Sequence, residues 1–258
     1  MGSFLLFLLV GGLAQLVDGA LGMAYGVVSS TVLLSFGVPP AQASASVHAA
    51  ELFTTAASGG SHLFHRNVDW RLFWRLAPLG IAGGMVGTYV LTSIDGAAVK
   101  PYVAAYLTVI GIYLVVRSFR RIPQKPVTGP VVPALAAAGG FLDAVGGGGW
   151  GPIVTSGLLG AGGQPRYVVG TVNTAEFLLT VAVSASFVVA LLTGHWQEAD
   201  GLLSHLVPVA GLIVGGVVAA PFAGYIVRVA PEKLLLRAVG LLICVLAATQ
   251  IYQILGNA

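Results

Sequence analysis

Charged residues are scarce in this chain. Asp, Glu, Lys and Arg together make up 8% of its 258 residues, whereas a soluble domain carries about 25%. Hydrophobic residues make up 57%, and the mean hydropathy is +0.92, which predicts an all-α integral membrane protein. The formal net charge is only +3, and the basic residues lie in short connections rather than in a stripe that could follow phosphates, which argues against nucleic acid as a partner.

Cysteine is almost absent as well. Cys244 is the single cysteine, so the chain cannot form an intramolecular disulfide, and its apolar neighbours LLICVLAA indicate a packing role. The N-terminal stretch MGSFLLFLLVGGLAQLVDGA lacks the positively charged region of a secretory signal. We therefore expect it to belong to the mature fold, and the repeat described next supports that interpretation.

Glycine is abundant, and its placement indicates an internal repeat. A shift of 125 positions aligns LVDGALGMAYG, residues 16–26, with FLDAVGGGGWG, residues 141–151, and the alignment continues without a gap. Matches of Asp, Gly, Pro and Glu in a fixed order are not expected by chance between two apolar segments. We infer two homologous halves, 1–125 and 126–258, within one membrane domain. The aligned pairs include Asp18 with Asp143, Gly22 with Gly147, Tyr25 with Trp150, Pro40 with Pro165, Ser46 with Thr171, His48 with Asn173, and Glu51 with Glu176.

Each half contains four hydrophobic stretches. About 20 apolar residues suffice for a helix to cross the hydrocarbon core. The first stretch of each half is interrupted by the glycine element, and such a break is tolerated at membrane depth only where protein or water satisfies the backbone. The predicted stretches are 3–36, 41–64, 71–94 and 98–119 in the first half, and 131–161, 166–193, 202–228 and 233–255 in the second.

The loop charges predict how the halves are oriented. Basic residues surround three connections, whereas the connection 194–201 carries Glu198 and Asp200. The basic connections should be cytoplasmic, which gives the halves opposite orientations and both termini outside. Such inversion needs an odd number of crossings per half, so one stretch in each half must be re-entrant or turn back. The basic residues are Arg66, Arg71, Arg75, Arg117, Arg120, Arg121, Lys125, Arg228, Lys233 and Arg237.

At these residues the chain resembles the sulfite exporter TauE/SafE family of small two-halved membrane proteins. The resemblance covers the whole chain and is carried by the glycine breaks, residues 17–26 and 142–151, and by the Pro-to-Glu segments, residues 40–51 and 165–176. It implies export of sulfur-containing oxyanions, such as sulfite, sulfoacetate and other sulfonates, or thiosulfate, across the bacterial cytoplasmic membrane. The exact anion, the coupling ion and the direction of transport stay open.

The residues suggest how such an anion would be held. No Arg or Lys lies well inside a predicted span, so backbone N–H groups at helix N-termini beside the breaks should meet the charge. Tyr25 and Trp150 are equally well explained as core aromatic residues, and the Ser29 hydroxyl is expected to bond to its own helix. The candidate substrate-binding residues are Gly22, Tyr25, Ser46, His48, Gly147, Gly148, Trp150, Thr171 and Asn173.

Acidic residues form a second group of candidates. Glu51 shares a helical face with His48, and Glu176 shares one with Asn173. These two carboxylates could carry coupling protons or hold the unwound backbone, and both interpretations stay open. His48 has no histidine counterpart, which favours an asymmetric role. Helix-break capping is expected of two further residues, Asp18 and Asp143.

Other functions are less favoured by the sequence. SGGSHLFH, residues 58–65, supplies a nucleophile and a base but no nucleophile elbow, so we expect no enzyme. A metal carrier built on His48 and Glu51 is disfavoured because the second half offers no matching ligands, and no metal or cofactor is expected. A passive anion channel is the main alternative to a transporter. The expected partners are the oxyanion and the lipid bilayer, with a homodimer left open. Close helix packing is predicted for Gly80, Gly83, Gly84, Gly87, Gly211, Gly215 and Gly216.

Overall fold

A computed structural model describes residues 2–120, 131–196, 205–229 and 232–256. These residues form helices and short connections without any strand, so the predicted all-α membrane fold is confirmed. The helices are α1 (Gly2–Leu21), α2 (Tyr25–Ser35), α3 (Pro40–Phe64), α4 (Trp70–Ser93), α5 (Gly96–Arg117), α6 (Val131–Gly146), a π-helical turn (Gly151–Thr155), α7 (Ser156–Gly160), α8 (Pro165–Leu192), α9 (Leu206–Val229) and α10 (Glu232–Gly256).

Four of the described helices are long and apolar enough to cross a membrane. The chain breaks where the sequence analysis placed the glycine elements, because α1 is separated from α2, and α6 from the π-helical turn, by three or four residues. Helix α3 is less apolar than these four helices because it carries Ser, Thr, His and Glu residues. Most of these polar residues are buried inside the protein. The four candidate spans are Trp70–Ser93, Gly96–Arg117, Pro165–Leu192 and Leu236–Leu255.

Both glycine-broken stretches turn back as hairpins. The rings of Phe7, near the start of α1, and Phe36, just after α2, have centroids 5.8 Å apart, so α2 runs back along α1. In the second half, a Cβ built at Gly157 of α7 would lie 2.7 Å from the Leu135 side chain of α6. We therefore expect the first stretch of each half to be the one that does not cross the membrane.

Left-handed glycines reverse the chain at the tips of these hairpins. Gly22 has φ +64° and its aligned partner Gly147 has φ +67°. A residue with a Cβ would pay about 1–2 kcal/mol in this conformation. We call residues 22–24 the first tip and residues 147–150 the second tip.

The two halves are interlocked rather than side by side. Helix α1 packs on α9, and its aligned counterpart α6 packs on α4; likewise α3 contacts α9 while α8 contacts α4. The remaining major pairs, α3 with α8 and α5 with α10, join aligned helices to each other. Exchanging the halves therefore maps these six pairs onto one another, as expected for an internal repeat, although the contact of α2 with α10 has no comparable counterpart.

Glycines make the close helix crossings. A Cβ at Gly87 would lie 2.5 Å from the carbonyl oxygen of Phe141, and one at Gly211 would lie 2.8 Å from that of Phe4. Gly83 and Gly215 approach the carbonyls of Ala137 and Leu8 in the same way. The packing role predicted for these glycines is confirmed, because backbones approach this closely only where no side chain intervenes.

Contacts between connections show that α3 and α8 are antiparallel. Arg166, at the start of α8, donates hydrogen bonds to the Asn67 side chain (2.6 Å) and the His65 carbonyl (3.0 Å), just beyond the end of α3. At the opposite end of α3, Gln42 lies 2.8 Å from His205. This arrangement suits an inverted repeat, but the orientation in a membrane stays a prediction, because the linker 121–130 and residues 197–204 lie outside the described residues.

Candidate functional site

The two tips meet inside the protein. A Cβ at Gly26 would lie 2.8 Å from Cα of Gly148 and 3.0 Å from the Gly147 carbonyl oxygen. Its aligned partner Gly151 approaches the first tip in the same way, 2.9 Å from the Gly22 carbonyl oxygen. That carbonyl also accepts a hydrogen bond of 2.7 Å from the Thr155 hydroxyl. Glycine is required on both sides because the backbones touch.

Two aspartates bind the backbone across the breaks. One carboxylate oxygen of Asp18 accepts hydrogen bonds from the N–H groups of Ala24 (2.8 Å) and Tyr25 (3.2 Å). Oδ1 of Asp143 accepts from Gly149 (2.7 Å) and Trp150 (2.9 Å), which are the aligned positions. Each carboxylate thus lies at the N-terminal end of the segment that follows its break, where the helix dipole favours negative charge.

The second oxygen of Asp143 makes a contact that joins the halves. Oδ2 lies 3.1 Å from Nε2 of His48 on α3, and both side chains are almost completely buried. The other ring nitrogen of His48, Nδ1, lies 2.8 Å from the Ser44 carbonyl oxygen. The aligned residue Asn173 instead donates to the Ser58 hydroxyl at 3.0 Å, so the repeat is broken at this contact.

Glu51 lies beside the same pair. A Cβ at Gly26 would be 2.7 Å from its Oε1, so its carboxyl group lies at the start of α2. Its Oε2 is buried and has no hydrogen-bond partner. One ring nitrogen of His48 and one carboxylate oxygen each of Glu51 and Asp143 lie within 4.8 Å of one another. The sequence argument against a metal carrier compared aligned residues and so did not include Asp143, which joins His48 and Glu51.

Glu176 completes an acidic cluster, which we define as Asp18, Glu51, Asp143 and Glu176. All four are at least nine-tenths buried, and the charge of Glu176 interacts with those of the other three. The lysines and arginines of the described helices lie instead in first or last turns or the turn next to them. Charge neutrality in this interior must therefore come from protons, from a cation or from the single histidine.

The aromatic candidates have their polar atoms occupied. The Tyr25 hydroxyl donates to the Leu212 carbonyl at 2.9 Å, and the Trp150 indole donates to the Val172 carbonyl at 3.2 Å. The rings also contact glycines, Tyr25 at Gly216 and Trp150 at Gly80. Both residues therefore anchor their tips to neighbouring helices, which matches the interpretation as core aromatic residues.

The candidate hydroxyl groups differ in whether they have a hydrogen-bond partner. The Ser46 hydroxyl is buried and has no partner, whereas Thr171 accepts a hydrogen bond of 2.8 Å from the backbone N–H of Asp69. The expectation for Ser29 is wrong: its hydroxyl is buried without a partner, while the next residue, Ser30, bonds to the Val27 carbonyl at 3.2 Å. Spacing along a helix does not decide which of two adjacent hydroxyls finds an acceptor.

Three residues at the site were not singled out from the sequence. Ser44 donates to the Ala144 carbonyl at 2.5 Å and so ties α3 to α6. Tyr106 of α5 reaches the second tip, where a Cβ at Gly149 would lie 2.8 Å from its hydroxyl. Thr155 aligns with Ser30 at the repeat spacing, so the alignment carried a signal for it. Ser44 had no such signal, because it aligns with Val169, and Tyr106 lies outside the segments that the alignment compared.

A separate apolar groove of about 600 Å³ runs between α1 and α9. It is lined almost entirely by carbon atoms, and Leu9 and Leu13 along it are 61% and 64% exposed. The groove thus belongs to the outer surface of the helix bundle and is distinct from the buried acidic cluster.

Spanning helices around two broken hairpins that meet at buried polar groups define a multi-pass membrane transporter. The chain belongs to the sulfite exporter TauE/SafE family, whose model matches residues 7–249, so the resemblance noted from the sequence is confirmed. It is 40% identical over 265 residues to the "Probable membrane transporter protein YtnM" of Bacillus subtilis (strain 168), with 100% of this chain and 86% of the relative covered. No solved structure matches the chain.

Proposed function

We propose that this transporter exports sulfur-containing oxyanions across the bacterial cytoplasmic membrane. The substrates would be sulfite, organosulfonates such as sulfoacetate, or thiosulfate. Membership of a family described as sulfite exporters supports the substrate class. The observation that carries the proposal is the meeting of two glycine tips, each followed by the N-terminus of a helical segment, in the protein interior.

Backbone donors at these N-termini suit a compact oxyanion. The N–H groups of Gly26 and Val27 lie in the first turn of α2, where they have no intrahelical acceptor. Gly151 occupies the aligned position in the second half. The unpaired hydroxyl of Ser46 adds a side-chain donor on α3. Such a site binds an anion without a lysine or arginine, as helix N-termini do in other proteins.

The interlocked halves favour alternating access. Substrate and coupling-ion sites of repeat-built transporters lie between the repeats, so that rocking of one half against the other exposes the site to each side in turn. Here the tips, the acidic cluster and His48 all lie where the halves meet. We propose that protons carried by Glu51 or Glu176 are coupled to the transport cycle, and a passive anion channel is the alternative.

Flux into proteoliposomes tests the proposal. Purified protein is reconstituted and uptake is measured for sulfite, thiosulfate, sulfoacetate, sulfate and chloride, with protein-free liposomes as the control. A transporter shows saturation and is accelerated by substrate on the opposite side, whereas a channel shows neither. Flux of sulfur oxyanions no faster than that of chloride would contradict the proposed substrate class, and flux proportional to concentration would favour the channel.

A further inference from the structure

One buried contact between the halves has no counterpart in the repeat. His48 and Asp143 meet at 3.1 Å, but Asn173 and Asp18, their aligned residues, make no such contact among the described hydrogen bonds. We infer that His48 and Asp143 together bind one proton, and that this proton is the ion whose binding accompanies the oxyanion. The inference rests on the proposed function and adds to it the pair of residues that holds the coupling proton.

The hydrogen bonds of His48 indicate how many protons its contact with Asp143 holds. Nδ1 faces the Ser44 carbonyl oxygen at 2.8 Å, and a carbonyl oxygen only accepts, so Nδ1 carries a hydrogen. A neutral imidazole then has a bare lone pair on Nε2. At 3.1 Å from Oδ2 of Asp143, that lone pair would face a carboxylate lone pair unless a proton lay between them. The contact therefore holds one proton, as imidazolium with carboxylate or as neutral imidazole with carboxylic acid.

Oδ1 of Asp143 fixes where this proton is held. It accepts the N–H groups of Gly149 and Trp150, so the carboxylate cannot turn away without releasing the second tip. Ser44 ties the same stretch of α3 to the Ala144 carbonyl. The proton thus lies between a rigid part of α3 and the tip at which we propose that the oxyanion binds.

Charge makes the proton and the oxyanion bind together. With the proton present, the pair of His48 and Asp143 is neutral as a whole; without it, the pair carries one negative charge. The titratable groups around Asp143 are acidic or neutral: Glu51, Glu176 and Tyr106 lie near it, and Asp18 and Tyr25 lie near Glu51 in turn. An oxyanion at the tips would meet one more buried negative charge after the proton leaves, which is unfavourable in a water-poor interior.

Glu51 supplies a route for the proton. Its buried Oε2 has no hydrogen-bond partner, and its carboxyl group lies within 4.8 Å of the ligand atoms of the pair. A carboxylate with a free acceptor next to a proton-holding pair can take the proton when the halves move. The residue three positions before Glu176 is Asn173, which donates to Ser58 and cannot take up a proton, so we place the route on the Glu51 side.

Asparagine substitutions separate the proton from the contact. In Asp143→Asn the amide oxygen can still accept from Gly149 and Trp150, while the amide N–H can donate to a neutral His48. The contact remains, but the proton that His48 shares with a carboxylate is gone. Asp18→Asn makes the same change at the aligned cap, which has no contact with a histidine among the described hydrogen bonds, and is the matched control.

Transport of sulfite is measured in proteoliposomes against pH, with proton movement followed by a dye inside the vesicles. We expect the wild-type rate to fall by up to ~10-fold per pH unit once the proton is lost, since one proton is involved. About one proton should accompany each anion. Asp18→Asn should be slower but keep this slope and ratio. Asp143→Asn should vary less than ~2-fold over the same range and move no protons. A wild-type slope in Asp143→Asn, or an equal loss of slope in both variants, would overturn the inference.

A readout without transport keeps the inference separate from the proposed function. Nitrogen NMR of histidine-labelled protein, with His48→Asn to assign the signal, should show one titration step of His48 that disappears in Asp143→Asn and persists in Asp18→Asn. If that step appears but no oxyanion is transported, the proposed substrate fails and the proton site stands. If flux occurs and the step is absent, the proton site fails.

Elemental analysis is the second check. A stoichiometric divalent metal ion in the purified protein would also overturn the inference, because a metal bound by His48 and Asp143 would replace the shared proton.

Discussion

Replacing Gly147 by alanine tests whether the contact between the tips matters for transport. Gly147 has φ +67°, and an added Cβ would lie 2.9 Å from Cβ of Ser30 and 3.3 Å from Cα of Ser44. Gly37 is the matched control, since it has φ +84° and nothing within 4 Å of an added Cβ. Both variants incur the left-handed strain, but only Gly147→Ala also presses on α2 and α3.

The expected costs follow from these distances. Left-handed strain costs about 1–2 kcal/mol at either site. Crowding in a packed interior adds about 1–3 kcal/mol at Gly147 alone. The difference between the variants should therefore be about 1–3 kcal/mol, small enough to leave most of a stability of about 5–15 kcal/mol. We expect Gly147→Ala to fold, and to melt below Gly37→Ala by about 2–4 °C per kcal/mol of difference.

The assay combines melting in one detergent with sulfite flux in proteoliposomes. Gly37→Ala should transport like the wild-type protein, whereas Gly147→Ala should lose most of its flux while it remains monodisperse, because the second tip must shift away from Ser30. Equal melting temperatures and equal flux in the two variants would refute the reasoning, since they would mean that the tips do not need to touch.

Two further predictions concern the carboxylates and the topology. Glu51→Gln should alter the pH dependence of transport more than Glu176→Gln, because Glu51 lies beside His48 and Asp143. Flux with the wild-type pH profile in both folded variants would exclude both carboxylates as proton carriers. Loss of stability with an unchanged profile would identify a structural clamp. Single cysteines at Asn67 and His195, in a Cys244→Ser background, should be labelled from opposite sides of the membrane by an impermeant reagent, and labelling from the same side would contradict the inverted arrangement.

Local sequence properties account for most of the helices. Apolar stretches of spanning length predicted α4 and α5 to within a few residues, because hydropathy alone decides which segments leave water. Shifting the chain by 125 positions located both breaks, because glycine adopts the left-handed backbone at Gly22 and Gly147 without the strain that a Cβ adds. The same shift placed Asp18 and Asp143 at equivalent positions, where each carboxylate now accepts two backbone N–H groups.

The alignment could not show where the halves differ in their contacts. It paired His48 with Asn173 but gave no reason to place His48 against Asp143, 95 residues away. It likewise gave no reason to expect that the Thr171 hydroxyl accepts a hydrogen bond from the Asp69 backbone. Such contacts depend on how α3, α6 and α8 cross, and no local pattern encodes a crossing.

By itself, then, the sequence determined a two-halved, all-α membrane protein with a glycine break in each half, because hydropathy, backbone freedom and repeat spacing are properties of single segments. Only the tertiary structure decided that the breaks turn back as hairpins, that their tips touch, and that one histidine joins one of two equivalent aspartates. The physical reason is that a proton or an anion is held by groups from several helices, and their distances are set by packing between segments far apart in the chain.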